Sequence, residues 1–439
     1  MGRDPNTARA AAKGTEHLTT KEINDSINDL QKKDFLPIIL GSDENAYGIA
    51  RAFHEKYNII STVMCKQVYI ATRHSKIIDI IQIDNFDEEK ICIENIVKIA
   101  EEKLKDYKKL ILVPCSDGYI EIIAKNKDII DKYFCNKFIS YDLLQRFVTK
   151  EKFNQICDEY NIAYPKTVVC EKKDRLNILD SLPFNFPIAV KPNNSNSYDY
   201  LHSQFEGKKK FFIVQTKEEY IEIINNMNTS DYDDNLIIQD FIPGDDTAGR
   251  FLNCYSDNDG KVKFMCLGQP VIEAYAPLEL GNYAAVLIDY NQEIFDKIKG
   301  FLEDIKYVGF SNFDMKFDPK SGEYKFFEIN PRQGRSSFFM TAAGYNLAEL
   351  LVDNCVYEKN PDIIYANADS LWLSIPKKII YQYVENQEVL QRAKKLIKEK
   401  KYKYTLLYKK DFSFMRYLRI KLYYNKRIKE YKKYFFRKT

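Results

Sequence analysis

The sequence lacks the features that mark secreted, membrane-spanning or zinc-thiolate proteins. No apolar run approaches the roughly 18 residues that a membrane-spanning helix needs, and no signal-peptide pattern is present. The nine cysteines form no CxxC pair, and the four histidines complete no zinc spacing. These absences predict a cytoplasmic protein with reduced thiols. Cys115 is a candidate nucleophile, although a small buried side chain is the commoner role of a free cysteine.

The composition is that of a globular chain with an uneven charge distribution. With 439 residues, 45% of them hydrophobic and 14% aromatic, the chain can bury a sizeable core in about two to four units. The net charge of +3 hides an asymmetry. Residues 391–439 hold 19 Lys and Arg against three acidic residues, a net of +16, so the remainder carries −13. Such a basic segment indicates an anionic neighbour.

The first part of the chain alternates strand and helix patterns. Residues 1–33 show no core periodicity and are interpreted as an N-terminal extension, in part a remnant of cloning. Residues 34–140 begin with the apolar run FLPIILG and the amphipathic SDENAYGIARAFHEKY, and the pattern repeats in KLILVPCSDGYIEIIAKN. In this second strand–turn–helix segment Ser116 or Asp117 can cap the helix. The alternation predicts an open α/β sheet.

The pattern changes after Tyr141. Residues 141–355 start with a helical segment that ends before Pro165 and continue mainly as short strands joined by tight turns. This part predicts largely antiparallel sheet in an α+β arrangement. Residues 356–439 form a helical, basic and aromatic C-terminal region. The sequence shows no internal repeat and no low-complexity linker between these parts.

Three oxygen-bearing side chains fall on two neighbouring strands. Glu328 and Asn330 lie two positions apart in KFFEIN and therefore point to the same face. A hairpin turn around Ser321 and Gly322 would bring Asp314 of NFDMKFD beside them. Carboxylate and amide oxygens suit Mg²⁺, which keeps waters and substrate phosphates as its other ligands. The alternative is a solvated polar face, and the apolar neighbours and the Asn-Pro-Arg ending favour the metal.

Two lysines and a Pro-Gly turn precede this hairpin in the sequence. Lys191 ends the strand FPIAVK before a Pro/Asn/Ser loop, where an ammonium group can reach a phosphate while its stem packs on the sheet. Lys150 begins a helix 15 residues before Pro165. Each lysine alone is typical of a protein surface, and the two are informative as a pair. The segment LIIQDFIPGDD is an ordinary turn by itself, but its backbone can contact an adenine edge and its carboxylates ribose hydroxyls.

In this order the motifs resemble those of the ATP-grasp superfamily over residues 141–355. The order and spacing together are specific, whereas each motif alone is weak. The resemblance implies a mixed α/β and α+β architecture: an ATP-grasp fold behind a Rossmann-like pre-grasp domain, with a helical basic C-terminal extension. It also implies ATP and one or two Mg²⁺ ions as cofactors. The implied roles are phosphate binding by Lys150 and Lys191, adenine binding by Gln239, Asp240, Phe241 and Ile242, ribose binding by Asp246, metal binding by Asp314, Glu328 and Asn330, and contact with the transferring phosphoryl and the acceptor carboxylate by Arg332 and Arg335.

The sequence departs from the superfamily pattern at two places. Many members have a glycine-rich phosphate loop after the second lysine, whereas here NNSNSYDYLHSQFEGKKK has its only glycine at Gly207. The residues that close over the γ-phosphate are therefore not identified. Asn312 stands where some members have a basic residue.

Four segments are similar to the D-aspartate ligases of Gram-positive cell-wall synthesis: PIILGSDENAYGIARAFHEKY, IIQDFIPGDD, MCLGQP and FEINPRQGRSSFF. The similarity covers almost the whole chain from about residue 35. It implies that ATP activates the β-carboxylate of D-aspartate as an acyl phosphate, which is joined to the lysine side-chain amine of the stem peptide of a nucleotide- or lipid-linked peptidoglycan precursor. The alternatives are an ATP-grasp ligase for another amino acid and an inactive nucleotide-binding protein with an anion-binding tail. The intact lysines and metal ligands favour an active enzyme.

The loop after the acidic strand is a candidate catalytic and amino-acid-binding segment. Arg335 can clamp a carboxylate through two hydrogen bonds, and the hydroxyls of Ser336 and Ser337 can bind it or the acyl phosphate. An equally good interpretation of the two serines is that they cap a helix beginning near Phe338. No general base stands out. The unranked candidates are Asp199, Glu206 and Glu273, while His54, His74 and His202 lie outside the motifs.

The basic tail, residues 391–439, interleaves Lys and Arg with Tyr, Phe and Leu. Such mixtures suit an anionic membrane surface, RNA or a phosphorylated substrate. The alternative is a solvated helical face that packs through its aromatic residues. The cell-wall resemblance favours the anionic precursor or the inner face of the cell membrane, with no nucleic-acid partner.

Overall fold

Three β-sheets with helices packed on them make up the computed structural model, which describes residues 32–435 except 149, 194–197 and 278. The predicted N-terminal extension thus lies almost wholly outside the described residues. The strands are β1 Lys33–Leu40, β2 Ser61–Cys65, β3 Ile78–Gln82, β4 Tyr107–Pro114, β5 Thr167–Cys170, β6 Ile188–Pro192, β7 Phe212–Val214, β8 Leu236–Asp240, β9 Gly249–Ser256, β10 Val262–Glu273, β11 Tyr283–Asp289, β12 Gly309–Asp318, β13 Glu323–Asn330, β14 Ile364–Tyr365, β15 Leu371–Leu373 and β16 Tyr402–Tyr404. The α-helices are α1 Glu44–Tyr57, α2 Glu89–Lys103, α3 Asp117–Lys125, α4 Lys127–Ile130, α5 Tyr141–Val148, α6 Lys150–Glu159, α7 Tyr198–His202, α8 Lys217–Asn228, α9 Gln292–Asp304, α10 Phe338–Ala342, α11 Leu347–Leu351, α12 Lys377–Tyr383, α13 Gln387–Lys398 and α14 Phe414–Tyr434.

The N-terminal sheet is parallel, in the order β3-β2-β1-β4. Its central strand β1 is buried on both faces: Ile38 packs into one core and Ile39 into another, which explains the continuous apolar run. Helices follow β1 and β4 directly. Asp43 caps α1 by accepting a hydrogen bond from Ala46 N at 3.0 Å, and Ser116 caps α3. The predicted open α/β sheet is confirmed.

The small sheet is antiparallel, in the order β5-β8-β6-β7. Alternate residues such as Ile188, Val190 and Ile238 face a core that α8 covers with Tyr220 and Ile224. The opposite face carries Lys191 together with the buried side chains of Ile237 and Gln239. The strand alternation therefore places Lys191 on the side of this sheet away from α8.

The large sheet is mainly antiparallel and runs in the order β13-β12-β9-β10-β11-β15-β16, with β14 beside β10. One face packs on α9 through residues such as Phe295 and Ile298. The other face packs on the segment Phe338–Ala342 and on α1. Three short strands of the predicted C-terminal region, β14, β15 and β16, belong to this sheet. The domain boundary at residue 355 stays a prediction.

The C-terminal helix α14 packs on the molecule by one face. Its buried residues are Arg416, Ile420, Arg427 and Tyr431, and Tyr431 lies in a core with residues from α12 and α13. Among the described residues, no helix is both long enough and apolar enough to cross a membrane.

Candidate active site

The acidic hairpin forms as its alternation predicts. Asp314 of β12 lies directly opposite Glu328 of β13, and Asn312 lies opposite Asn330. The Asn330 side-chain amide donates hydrogen bonds to Asp314 Oδ2 and Asn312 Oδ1, each at 3.2 Å. Two carboxylates and one amide are therefore grouped on one face of the sheet.

A β-bulge beside this group connects it to the first predicted lysine. The bulge leaves Phe327 without a partner on β12, and its carbonyl oxygen accepts a hydrogen bond from Lys150 Nζ. Lys150 Nζ also lies 4.5 Å from the centre of the Phe153 ring. Burial, and then the charge of Lys191, lower the pKa of Lys150 to about 7, while Glu328 acts in the opposite direction. The two predicted lysines, 41 positions apart in sequence, thus lie close to each other and to the acidic hairpin.

The electrostatics of the hairpin depend on cations across the cleft. Burial and the neighbouring Glu328 raise the pKa of Asp314. Burial also acts to raise the pKa of Glu328, but positive charge outweighs it and leaves that pKa below its ordinary value. The side chains that supply this charge are, in order, Lys191, Lys210, Lys150 and Arg332. The cleft therefore pairs a carboxylate wall with a cationic wall.

Lys210 was missed by the sequence analysis. It lies in the loop before β7, and its backbone N–H donates to Pro277 O at 3.1 Å. Its charge acts on both Asp314 and Glu328. Lys210 is the last of three consecutive lysines, and nothing in that run distinguishes the one that faces the cleft.

Tyr283 of β11 supports Asp314 and was also missed. Its hydroxyl donates to Asp314 Oδ1 at 2.9 Å, and its ring stacks on Phe251 with 4.4 Å between centroids. A Cβ on Gly268 would come within 2.4 Å of the Phe251 ring, so only glycine leaves room for this stack. The glycine inside the strand motif MCLGQP was the available signal, since glycine in a strand often marks a close approach.

The predicted adenine-binding residues lie at the end of β8 and in the turn that follows. These residues are Gln239, Asp240, Phe241 and Ile242. Lys316 of β12 reaches this turn: its Nζ donates to Gly244 O at 2.8 Å and lies 5.6 Å from the Phe241 ring centre. The small sheet and the large sheet therefore meet at this edge of the cleft, and the nucleotide roles stay predictions.

Asp246 has an internal role in the structure. It is buried, and its Oδ2 accepts hydrogen bonds from Glu273 N and the Tyr275 hydroxyl, both at 2.9 Å. These hydrogen bonds give no support to a contact of Asp246 with ribose, which stays a prediction.

Arg332 connects the hairpin to the N-terminal sheet. Its guanidinium donates two hydrogen bonds to the carboxylate of Asp117, at 2.7 and 3.0 Å. Burial would lower the pKa of Arg332, but Asp117, Glu328 and Asp314 outweigh it, so the pKa is raised. Asp117, the first residue of α3, is thus a site residue that the sequence analysis considered only as a helix cap.

The three residues after Gly334 differ in environment. Arg335 is exposed and makes no hydrogen bond or ion pair with any described residue. Ser336 and Ser337 are buried, and the Ser337 hydroxyl donates to Asn45 Oδ1 at 3.0 Å. The helix α10 begins after Ser337 without a side-chain cap hydrogen bond. The capping interpretation therefore has no support at Ser337, and the substrate-binding one stays a prediction.

The environments of Cys115 and of the candidate general bases give less evidence of a role in the reaction. Burial raises the pKa of the Cys115 thiol far above its ordinary value, which disfavours a thiolate nucleophile, and all nine cysteines are free. Of the base candidates, Glu273 lies near Tyr283, whereas Asp199 and Glu206 lie exposed on the small-sheet side.

Within the described part of the chain, no three His, Cys, Asp or Glu side chains are grouped to hold a metal ion. The donor set of the hairpin is two carboxylates and an amide. Asn330 uses its NH₂ group toward Asp314 and Asn312, and its Oδ1 accepts no hydrogen bond from a described residue. This set of oxygen donors fits Mg²⁺.

The molecule has three sheets and a cleft with one cationic and one acidic wall. This fold is the ATP-grasp fold. The biotin carboxylase domain of 2-oxoglutarate carboxylase from Hydrogenobacter thermophilus, solved with magnesium ADP, matches with a TM-score of 0.53 and 13% identity over 74% of this chain and 71% of that one. An L-amino acid ligase from Bacillus licheniformis matches with a TM-score of 0.50 and 13% identity over 74% of each chain.

Sequence comparison gives the particular family. A D-aspartate ligase from Enterococcus faecium is 43% identical over 417 residues, which are 93% of this chain and 99% of that protein. No protein-family model matches the sequence. The chain belongs to the D-aspartate ligase family, and it is an ATP-dependent ligase that forms an amide bond.

Proposed function

We propose that the protein activates the β-carboxylate of D-aspartate with ATP and joins it to the lysine side-chain amine of a peptidoglycan precursor stem peptide. One observation carries this proposal. Lys150 and Lys191, far apart in sequence, converge with Asp314, Glu328 and Asn330 on one cleft. The D-aspartate ligase relative supports the choice of acid.

The reaction consists of two substitutions. A β-carboxylate oxygen attacks the γ-phosphorus of ATP, the bond to the β,γ-bridging oxygen breaks, and ADP leaves. The amine nitrogen then attacks the acyl carbon, inorganic phosphate leaves, and the nitrogen releases a proton to a base. Both steps pass through spread negative charge, so fixed cations lower the barrier. Lys150, Lys191 and Lys210 supply that charge in the cleft.

Asp314, Glu328 and the Oδ1 of Asn330 would hold Mg²⁺, which supplies charge neutralisation between the phosphates. Tyr283 orients Asp314 for this purpose through the hydrogen bond to Oδ1. Arg332 is kept at the cleft by Asp117 and would face the transferring phosphoryl group. Arg335 has no hydrogen-bond or ion-pair partner among the described residues and would bind a substrate carboxylate.

The decisive experiment measures ADP release with magnesium ATP and the precursor, comparing D-aspartate with L-aspartate, D-alanine and no acid. We expect release that requires D-aspartate. Release with a different acid would point to another amino-acid ligase, and release or binding of nucleotide without any acid dependence would overturn the ligase proposal.

A matched pair of variants tests the cleft in the same assay. Lys191→Met should lower kcat/KM by about 100-fold, since it removes a cation from the transferring phosphoryl group. Lys217→Met serves as the control, because Lys217 is an exposed residue of the same lobe that pairs with Asp180 at 3.2 Å. Equal activity of the two variants would contradict the assignment of Lys191.

We further infer that the outer face of α14 meets an anionic membrane surface, which places the reaction at the inner face of the cell membrane. Large apolar side chains are exposed on this face: Phe414 is 74% exposed and Leu422 60%, with Met415 and Leu418 between them. Lysines flank this patch, as in interfacial helices. Leu422→Asp should reduce sedimentation with anionic vesicles, and equal sedimentation of the unaltered protein with neutral vesicles would contradict the inference.

A further inference from the structure

A buried carboxylate beside Arg335 has one oxygen without a partner. Glu44, the first residue of α1, is 8% exposed, and its Oε2 accepts a hydrogen bond from the Ser374 hydroxyl at 2.7 Å. Its Oε1 has no hydrogen-bond partner among the described residues. Burial raises the pKa of Glu44, against the opposing effects of the Ser374 hydroxyl, the Arg335 guanidinium and the Thr405 hydroxyl, which lies near the carboxylate but outside hydrogen-bond geometry with Oε1. Such an arrangement costs free energy unless a cationic or hydrogen-donating group binds there.

Two hydrogen-bond donors without a described partner belong to residues close to Glu44: Arg335 acts on its charge, and Asn45 is the next residue of α1. Arg335 lies near enough to act to lower the pKa of Glu44, yet the two side chains form no ion pair within 4.0 Å. Asn45, 2% exposed, holds its Oδ1 on the Ser337 hydroxyl and leaves its Nδ2 without a partner in the described structure. A carboxylate acceptor and two kinds of donor are therefore available at one place.

The C-terminal helix α14 closes this place from the other side. The buried Tyr424 hydroxyl has no hydrogen-bond partner among the described residues. Burial, and next the charge of Glu44, raise the pKa of Tyr424, which keeps it a neutral donor. Arg427, one turn further on, is already paired with Glu279 and Glu430. Arg335 is therefore the guanidinium that remains for a ligand.

We propose that Glu44, Asn45, Tyr424 and Arg335 form the subsite that binds the α-ammonium and α-carboxylate of the amino-acid substrate. The ammonium donates to Glu44 Oε1, and the carboxylate accepts from Arg335, Asn45 Nδ2 and the Tyr424 hydroxyl. This inference rests on the proposed function and explains its regiochemistry. With both α-groups held here, the side-chain carboxylate is the group left to reach the acidic hairpin, whose Asn330 precedes Arg335 by five residues.

The test compares D-aspartate with (R)-malate, in which a hydroxyl replaces the ammonium, in the unaltered protein and in Glu44→Gln. A charge-assisted hydrogen bond contributes about 1.5–3 kcal/mol, so Glu44→Gln should raise the KM for D-aspartate about 10- to 100-fold. The KM for ATP should change less than about twofold. The ratio of kcat/KM for D-aspartate to kcat/KM for (R)-malate should fall by a similar factor, because malate has no ammonium group for Glu44 to bind.

The controls separate binding from folding. Glu293→Gln makes the same change in the first turn of α9, where the side chain is exposed, and should alter neither constant. Thermal unfolding of Glu44→Gln should occur at an unchanged or higher temperature, because the variant no longer buries a carboxylate; a structural role would lower it. Tyr424→Phe should raise the KM for D-aspartate with the ATP constant retained.

The outcomes also separate this inference from the proposed function. If the unaltered protein uses D-aspartate and Glu44→Gln keeps the full preference over malate, the subsite is wrong and the function stands. If another amino acid is the substrate, the same comparison with its hydroxy-acid analogue tests the subsite. If the unaltered protein binds no amino acid in equilibrium dialysis, both proposals fail.

Discussion

At the scale of single residues, Tyr283 links the metal-binding group to the sheet beneath it. Its hydroxyl is the hydrogen-bond donor that fixes Asp314 Oδ1. We expect Tyr283→Phe to raise the Mg²⁺ concentration for half-maximal activity about 10-fold or more, because loss of such an outer contact lowers metal affinity by about 10- to 100-fold. Magnesium titration of ADP release measures this. Tyr290→Phe, which removes the hydroxyl of an exposed tyrosine just beyond the other end of the same strand, should leave the titration unchanged.

Lys210 is a second residue whose role can be isolated. Its charge is among the largest that act on both carboxylates of the hairpin, whereas that of its neighbour Lys209 is not. We expect Lys210→Met to raise the KM for magnesium ATP or lower kcat by about 10-fold, because a cation near the phosphates is lost. Lys209→Met makes the same change one position earlier. Steady-state kinetics that gave equal losses in both variants would contradict a specific role for Lys210.

Local pattern was sufficient for some site residues and insufficient for others. The two-residue spacing of Glu328 and Asn330 set their common face, and the hairpin turn brought Asp314 opposite. Tyr283, and Glu44 of the proposed subsite, could not be found in this way, because each comes from a strand or helix that is distant in sequence. The available signal for Tyr283 was a glycine in another strand, and the start of α1 gave no such signal for Glu44. Long-range packing, which no local period encodes, decides such positions.

At the scale of secondary-structure elements, β10 carries the glycine that allows the stack under Asp314. An alanine Cβ at Gly268 would lie 2.4 Å from the Phe251 ring, which stacks on Tyr283. We expect Gly268→Ala to destabilise the protein by about 1–3 kcal/mol through overpacking and to raise the Mg²⁺ requirement as well. Thermal unfolding and the magnesium titration measure the two effects.

Gly300→Ala is the matched control for this prediction. Gly300 lies inside α9 with no atom within 4 Å of the added Cβ. Alanine is favoured over glycine in a helix interior by about 0.5–1 kcal/mol, so this variant should be slightly more stable with normal activity. If Gly268→Ala behaved in the same way, the stack would not position Asp314.

Strands and helices with a clear hydrophobic period could be predicted from the sequence, whereas very short strands could not. The strands around the hairpin and the parallel N-terminal sheet follow the apolar patterns closely. Strands β15 and β16, of three residues each, are too short to show a period and form because neighbouring strands offer them a sheet edge. The basic composition of α14 indicated an anionic partner but not which face packs inward, because apolar residues lie on both faces: Ile420 and Tyr431 are buried, whereas Phe414 and Leu422 are exposed.

At the scale of the whole molecule, the cleft joins parts that come from all three sheets. The small sheet supplies Lys191, the large sheet supplies the acidic hairpin, and Asp117 of α3, the helix that follows β4 of the N-terminal sheet, holds Arg332. A ligand that bridges the small and large sheets should stabilise them together, while the N-terminal sheet is linked to the cleft through the contact of Asp117 with Arg332. Ligand binding to the folded state raises stability most where the contacts are made.

Hydrogen exchange with and without magnesium ADP tests this arrangement. We expect slower exchange in β6, in the loop before β7 and in the β12–β13 hairpin, because Lys191, Lys210 and the acidic group close on the same phosphates. Strands β1 and β2 serve as the internal control and should change little. ADP with a chelator should protect less, since the uncovered carboxylates of Asp314 and Glu328 repel the phosphates. Protection spread evenly over all three sheets, or protection that does not depend on magnesium, would contradict a metal-bridged cleft.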